Sequence, residues 1–345
     1  MRLIILGTGW FANFHASQFS KIDGVDIVAA VDTNQAQLEA FAAKHEIPKT
    51  FSSLEDAIAW GQFDAATNVT PDRVHYLTTM QLLAAGKHVF CEKPLATNYA
   101  NAREMADAAE TSGKIAMVNL TYRNVAALQA ASKILSQGKI GAIRHFEASY
   151  LQSWLVSKAW GDWSKETMWL WRLSTKHGSN GVLGDIGIHI LDFVVFAIGS
   201  EVRAAASHLK VFDKIPGNQI GEYSLDANDS FLMMAELQNG ATGVIHATRW
   251  ATGHLNELRL RVHGDRGALE IVETPDGATL RICEGDDTDN AIWRPVEVEP
   301  VITNFQRFVN AVKSGKQDEP TFAHAAKLQL TLDHVVKHAG TLPAL

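Results

Sequence analysis

Short apolar runs alternate with longer mixed segments through the first third of the chain. Leu3 to Leu6 is apolar and ends at Gly7, and Gly7 to Ala12 opens a helix that runs to about Lys21. Val25 to Val31 is a second, β-branched run closed by Asp32. Helical patterns follow over Gln35 to Lys44 and Ser53 to Trp60. Phe63 to Val69 then reads as a strand that stops at Thr70-Pro71. The alternation continues with a helix over Asp72 to Ala85, a strand over Lys87 to Cys91, a helix over Tyr99 to Ser112 and a strand over Ile115 to Asn119. Strands alternating with helices of this length predict parallel βαβ units.

Beyond Asn119 the rhythm changes. Asn124 to Gln137 reads as a helix, and Ile143 to Leu151 alternates, with Phe146, Ala148 and Tyr150 on one side. Val182 to Phe196 is an almost wholly apolar helix. Strands are predicted over Asp229 to Leu237, Thr242 to Thr248, Glu257 to His263, Ala268 to Glu273 and Thr279 to Cys283. In one of them Leu258, Leu260 and Val262 alternate with charged residues, as in a sheet with one packed and one wet face. Helices over about Pro300 to Ser314 and Thr321 to His338 finish the chain. The expectation is an α/β protein of two domains. The first, 1–120, is built on a doubly wound parallel sheet; the second, 121–345, carries successive strands in a sheet with one packed and one wet face.

Size and composition fit that division. A chain of 345 residues exceeds one ordinary core. Net charge is −7 and the Lys and Arg residues are scattered, which argues against a nucleic-acid surface. Two cysteines make no disulfide framework. With no apolar run long enough for a membrane span and no leader-like pattern, the expected location is the cytoplasm.

The turn Gly7-Thr8-Gly9-Trp10-Phe11-Ala12 sits between a strand and a helix. There the first glycine permits a tight turn, the second lets backbone approach a pyrophosphate, and the alanine permits close helix–sheet packing. Asp32 closes the second strand, where an acid bonds an adenosine ribose. A carboxylate there repels a 2′-phosphate, and no Arg follows it, so NAD is the expected cofactor, with NADP left open. Glu92-Lys93-Pro94 follows another strand, and in a doubly wound sheet ligands bind beyond the carboxyl ends of the strands. The candidate cofactor-binding set is Gly7, Gly9, Trp10, Phe11, Ala12, Asp32, Thr70, Pro71, His75, Glu92 and Lys93.

The apolar helix carries Asp185, His189 and Asp192, at spacings that share one helix face. Three readings compete. His189 is a satisfied core histidine with Asp185 as a helix cap; or the three bind a metal; or His189 is a general acid–base, since an ordinary imidazole titrates near operating pH. No second cluster supplies further metal ligands, so no metal is expected, and the dinucleotide fingerprint favours the third reading. Five of the nine tryptophans fall between 154 and 171, and aromatic faces suit sugar rings as well as packing.

Gly7 to Ala12, the run Ala85-Gly86-Lys87-His88-Val89-Phe90-Cys91-Glu92-Lys93-Pro94-Leu95-Ala96, and Gly184-Asp185-Ile186-Gly187-Ile188-His189 resemble the signatures of the glucose–fructose oxidoreductase, inositol dehydrogenase and rhizopine-catabolism (Gfo/Idh/MocA) family. The resemblance covers essentially the whole chain, and it implies a Rossmann domain followed by an α/β domain with a large, mostly antiparallel open sheet. Two stretches depart from the pattern: Tyr122-Arg123 lacks the proline that usually follows, and Gly178, Gly181 and Gly184 are spread out. The resemblance implies an NAD(P)-dependent dehydrogenase or reductase acting on a sugar, inositol or related polyol, and a homodimer or homotetramer. It implies Lys93, Asp185 and His189 as catalytic residues. The candidate substrate-binding set is Lys93, Arg123, Trp171, Arg172, Asp185 and His189. Two rival functions are a glycosidase that uses NAD for transient oxidation and a non-catalytic dinucleotide-binding regulator.

Overall fold

The computed structural model describes residues 1–340. The chain packs as two units: residues 1–121 with 302–330, and residues 122–301 with the chain from 331.

The first unit is a βα alternation: β1 (Arg2–Leu6), α1 (Ala12–Phe19), β2 (Asp26–Val31), α2 (Gln35–Lys44), β3 (Thr50–Phe51), α3 (Leu54–Trp60), β4 (Ala65–Asn68), α4 (Asp72–Ala84), β5 (His88–Cys91), α5 (Tyr99–Ser112) and β6 (Ala116–Val118). The strand order is β3-β2-β1-β4-β5-β6 and every pairing is parallel. β1 and β4 are the neighbours at which the strand order reverses, the topological switch point where such sheets bind ligands. β1, β4, β5 and β6 are short runs buried almost throughout, as a sheet covered on both faces requires. Polar residues start the helices: Asn34, Ser53 and Asn98 each accept a first-turn backbone N–H of α2, α3 and α5.

The second unit holds α6 (Ala126–Ser136), β7 (Ile143–Gln152), the short α7 (Thr167–Leu170), α8 (Ile188–Ile198), β8 (Val202–Lys210), the small pair β9 (Gln219–Ile220) and β10 (Tyr223–Ser224), and then β11 (Ser230–Leu237), β12 (Thr242–Thr248), β13 (Asn256–Gly264), β14 (Gly267–Thr274), β15 (Gly277–Glu284) and β16 (Arg294–Pro295). Its main sheet has eight strands in the order β16-β15-β14-β13-β7-β12-β11-β8. Only β7 and β12 run parallel; the other pairings are antiparallel. Phe146, Ala148 and Tyr150 on β7 and Leu258, Leu260 and Val262 on β13 are buried. The opposite face exposes Leu232, Met234 and Val244.

Three features differ from the sequence reading. The chain does not divide once near residue 120. α9 (Asn304–Ser314), capped by Thr303, returns to the first unit, where Phe305, Phe308 and Val309 pack against Leu3, Phe19, Phe90 and Met117. The final helix, α10 (Phe322–Lys337), follows, and residues 341–345 of the expected second domain lie outside the described residues. β8 was not expected at all; it is an edge strand rich in alanine, with no apolar run to mark it. The apolar helix begins as a π turn over Leu183–Gly187 before it becomes α8.

Candidate active site

In the first unit three loops follow β1, β4 and β5. Gly7 has φ +88°, and a Cβ there would lie 2.7 Å from the Val69 carbonyl and 2.9 Å from Thr70 N, so no side chain fits. A Cβ on Gly9 would meet nothing nearer than Gln37 Nε2 at 3.9 Å. The glycine turn therefore packs against the loop after β4 on one side and is open at Gly9. Ala12 is fully buried under the turn, and no side chain caps α1; Ala12, Asn13 and Phe14 N–H donate to the Gly9, Trp10 and Phe11 carbonyls, so the N–H groups of Gly9 to Phe11, just before the helix, suit a phosphate. Trp10 is 79% exposed. Asp32 accepts from Thr8 N at 2.8 Å, from Thr8 Oγ1 at 2.9 Å and from Asn34 N at 2.9 Å. Its carboxylate is thus tied to the glycine turn at the end of β2.

The loop after β4 is held by Asn68, whose Oδ1 accepts from Thr70 N and Oγ1, while its amide donates to Thr78 and Thr79 on α4. His75 on α4 is buried and lies 2.8 Å from both the Thr70 and the Pro94 carbonyls. After β5, Glu92 is buried. Its Oε1 sits 2.7 Å from His15 Nε2 and accepts from Asn119 Nδ2 at 2.6 Å. Its Oε2 accepts from Lys93 N at 3.2 Å. Burial alone would raise the Glu92 pKa; His15, Asn119 and Lys93 outweigh it and hold the carboxyl below its ordinary range. Glu92 is thus a strut that fixes the backbone from which Lys93 departs.

In the second unit the π turn carries Asp185. A Cβ on Gly184 would collide with Asn180 Cβ, and one on Gly187 would come within 3.0 Å of the Phe231 ring. The two glycines let the wide turn press against its neighbours. Asp185 Oδ2 accepts from Arg249 Nη2 at 3.0 Å, and Arg172 Nε lies 3.7 Å away. Arg249 is fully buried, donates also to the Arg172 carbonyl and lies over the Trp154 ring. Burial draws the Arg249 pKa below its ordinary value, opposed by Asp185. The Asp185 side chain keeps 27% of its surface exposed.

His189 lies in the first turn of α8 and is 7% exposed. The Tyr122 ring meets it edge-on at 5.2 Å, and Tyr150 lies 6.5 Å away. Those two phenols form a closed cycle with Asn256. The Tyr122 and Tyr150 hydroxyls are 2.5 Å apart, Tyr150 donates to Asn256 Oδ1 at 2.9 Å, and Asn256 Nδ2 donates back to Tyr122 at 3.2 Å. Burial raises both phenol pKa values. The cycle makes a rigid wall beside the imidazole.

Asp192 goes elsewhere. It is buried and takes both Arg123 Nε at 2.8 Å and Nη2 at 2.6 Å. Arg123, expected to touch substrate, is 4% exposed, committed to this bidentate pair and stacked on Phe196. The helix stripe thus splits: Asp185 pairs with Arg249 and Asp192 with Arg123. Of the clustered tryptophans, Trp154, Trp160, Trp163 and Trp169 pack with Leu155, Leu170, Leu173 and Leu225. Trp171 lies outside that cluster, with Arg172 stacked 4.5 Å over its ring. Arg249 and Asn256 escaped the sequence reading. Each is a single polar residue near a strand end, and neither stands in a pattern.

Comparison with known proteins agrees with this geometry. The profile of the oxidoreductase family with an NAD-binding Rossmann fold (Gfo/Idh/MocA) matches residues 1–120, and the profile of the GFO/IDH/MocA C-terminal domain matches residues 128–270. Levoglucosan dehydrogenase of Pseudarthrobacter phenanthrenivorans is 27% identical over 306 residues, covering 79% of this chain and 76% of that protein. The scyllo-inositol 2-dehydrogenase (NADP(+)) IolU of Bacillus subtilis is 25% identical, covering 99% and 97%. The structure of a levoglucosan dehydrogenase in complex with NADH and levoglucosan superposes with a TM-score of 0.86 at 24% identity, covering 98% and 97%. The chain belongs to the Gfo/Idh/MocA oxidoreductase family. It is an NAD(P)-dependent dehydrogenase or reductase of CH–OH groups. No helix among the described residues is long and apolar enough to cross a membrane.

Proposed function

We propose that the protein interconverts a ring hydroxyl and a ketone on a cyclic sugar or polyol, with NAD as the preferred dinucleotide. The glycine turn, whose first position admits no Cβ and whose second is open, fits a pyrophosphate. Gly7, Gly9 and the start of α1 would hold that group, and Asp32 would take the ribose hydroxyls. When bound, the nicotinamide supplies the hydride acceptor or donor.

His189 exchanges the hydroxyl proton, accepting it in oxidation and returning it in reduction. The tyrosine wall fixes its ring plane. Lys93 donates a hydrogen bond to the reacting oxygen and stabilises its developing negative charge. Asp185 is held by Arg249 with part of its carboxylate facing solvent, so it serves as an acceptor for a neighbouring substrate hydroxyl. Trp171 and Arg172 offer an apolar face and a donor to the same ring. The observation that carries the reading is this oriented Asp185 and His189 on one turn, in a chain that also carries the dinucleotide turn. The bacterial relatives named above act on levoglucosan and scyllo-inositol, which supports the substrate class.

The test is a panel of inositols, aldoses, anhydrosugars and ketosugars assayed with NAD and NADP side by side. Turnover of a cyclic polyol with NAD is expected. His189→Ala should lower kcat by roughly 10²–10⁴-fold and Lys93→Ala by roughly 10²–10³-fold, with dinucleotide still bound. Near-native kcat in both variants would overturn the assignment.

A further inference from the structure

His75 is fully buried on α4, between the loops that follow β4 and β5. Its Nδ1 lies 2.8 Å from the Pro94 carbonyl oxygen and its Nε2 lies 2.8 Å from the Thr70 carbonyl oxygen. A carbonyl oxygen only accepts hydrogen bonds. A neutral imidazole has one N–H, so it would serve one carbonyl and aim a lone pair at the other. His15 makes the contrast plain. Its ring faces the Thr67 hydroxyl at 2.7 Å and the Glu92 carboxylate at 2.7 Å. A hydroxyl donates as well as accepts, so a single N–H, pointed at Glu92, satisfies both contacts there.

We infer that His75 is a fixed imidazolium that clamps the Thr70 loop to the Lys93-Pro94 loop and is a positioning residue for Lys93. The two bonds form one mechanical path. The glycine turn packs on Val69 and Thr70, the Thr70 carbonyl is held by one side of the ring, and the Pro94 carbonyl, next to Lys93, is held by the other. The chain thereby ties the pyrophosphate turn to the lysine through one side chain. A neutral ring would leave one loop untied. A Gln or Asn at 75 has its amide donors on one atom and an acceptor on the other, so it cannot bridge two carbonyls on opposite sides.

The surroundings favour the cation. The titratable groups that face the ring are Cys91 on β5 and Asp72 on α4. Burial alone would lower the His75 pKa, but Cys91, Asp72 and the Pro94 carbonyl outweigh it and raise it to about 10. The charge state stands on geometry alone; the role toward Lys93 rests on the function proposed above.

The test uses the full-length protein with ¹⁵N-labelled histidine, His75 being assigned by the signals lost in His75→Gln. Both His75 ring nitrogens are expected in the protonated range at neutral pH and through mild alkali. An unprotonated nitrogen at neutral pH would overturn the charge state. In His75→Gln, kcat should fall roughly tenfold or more, a larger change than that in the dinucleotide Kd read by tryptophan quenching. Unchanged kcat would overturn the positioning role. A doubly protonated ring in a protein that turns over no polyol would support the charge state and tell against the functional reading alone.

Discussion

Glu92 is a carboxylate where burial opposes ionisation, and three neighbours reverse that preference. Because His15, Asn119 and the Lys93 charge all favour the charged form, the folded pKa lies below the ordinary one. An acid with a depressed folded pKa adds stability above its ordinary pKa, about 4.3, and loses it as pH falls through the folded value. Glu92→Gln keeps the shape but sets an amide N–H against the Lys93 N–H or leaves it idle. The variant should lose about 1–3 kcal/mol at neutral pH, measured by urea unfolding. The gap should close as pH falls through and below about 4. A gap that persists unchanged in acid would show that packing, not charge, accounts for it. Asp192 and Asp185 teach a related lesson: two acids a few residues apart on one helix serve separate arginines. The periodicity put both on one face, but it carried no information about which cation each would meet. That depended on Arg123 and Arg249, which lie far away in sequence.

At the scale of elements, β11 and β12 present an apolar face that nothing within the unit covers. Leu232 is 52% exposed, Met234 64% and Val244 39%, on neighbouring strands of one sheet. A contiguous exposed apolar patch on a sheet marks an association surface. Self-association through this face, the oligomer expected from the resemblance, predicts that light scattering finds an oligomer and that Met234→Glu shifts it toward monomer. A wild-type monomer, or a variant that assembles as before, would refute the assignment. The strands themselves differ in how plainly they could be read. β1 and β5 are largely buried on both faces and appear as mostly apolar runs. β13 has one wet face and appears as alternation. β8 has neither pattern, because an edge strand of alanines and polar residues needs only its backbone to pair. The π turn was also hidden. It depends on glycines at 184 and 187 meeting Asn180 and Phe231, and close approach leaves no periodic trace.

At the scale of the whole molecule, the first unit is not a continuous stretch of chain. β6 receives its outer partners from residues past 316: Val118 N donates to the Pro320 carbonyl, Ala116 N donates to Gln317 Oε1, and Met117 bridges to Thr321. On the sheet face, Phe305 and Phe308 of α9 complete the cluster formed by Phe19 and Phe90. Removing one buried Phe costs about 3–5 kcal/mol. Two such losses rival the whole stability of an ordinary domain, about 5–15 kcal/mol. Residues 1–121 expressed alone carry every candidate dinucleotide-binding residue yet lack this packing. The fragment should therefore show no cooperative thermal transition and bind NADH far more weakly than the full chain, if at all. Adding back residues 302–330 through a flexible linker from 121 should restore both, because that segment is what the cluster and the β6 edge require. Cooperative unfolding and full-length NADH affinity in residues 1–121 alone would show that the returning helix is dispensable. It would also make the division of the chain at residue 121 an energetic boundary as well as a geometric one.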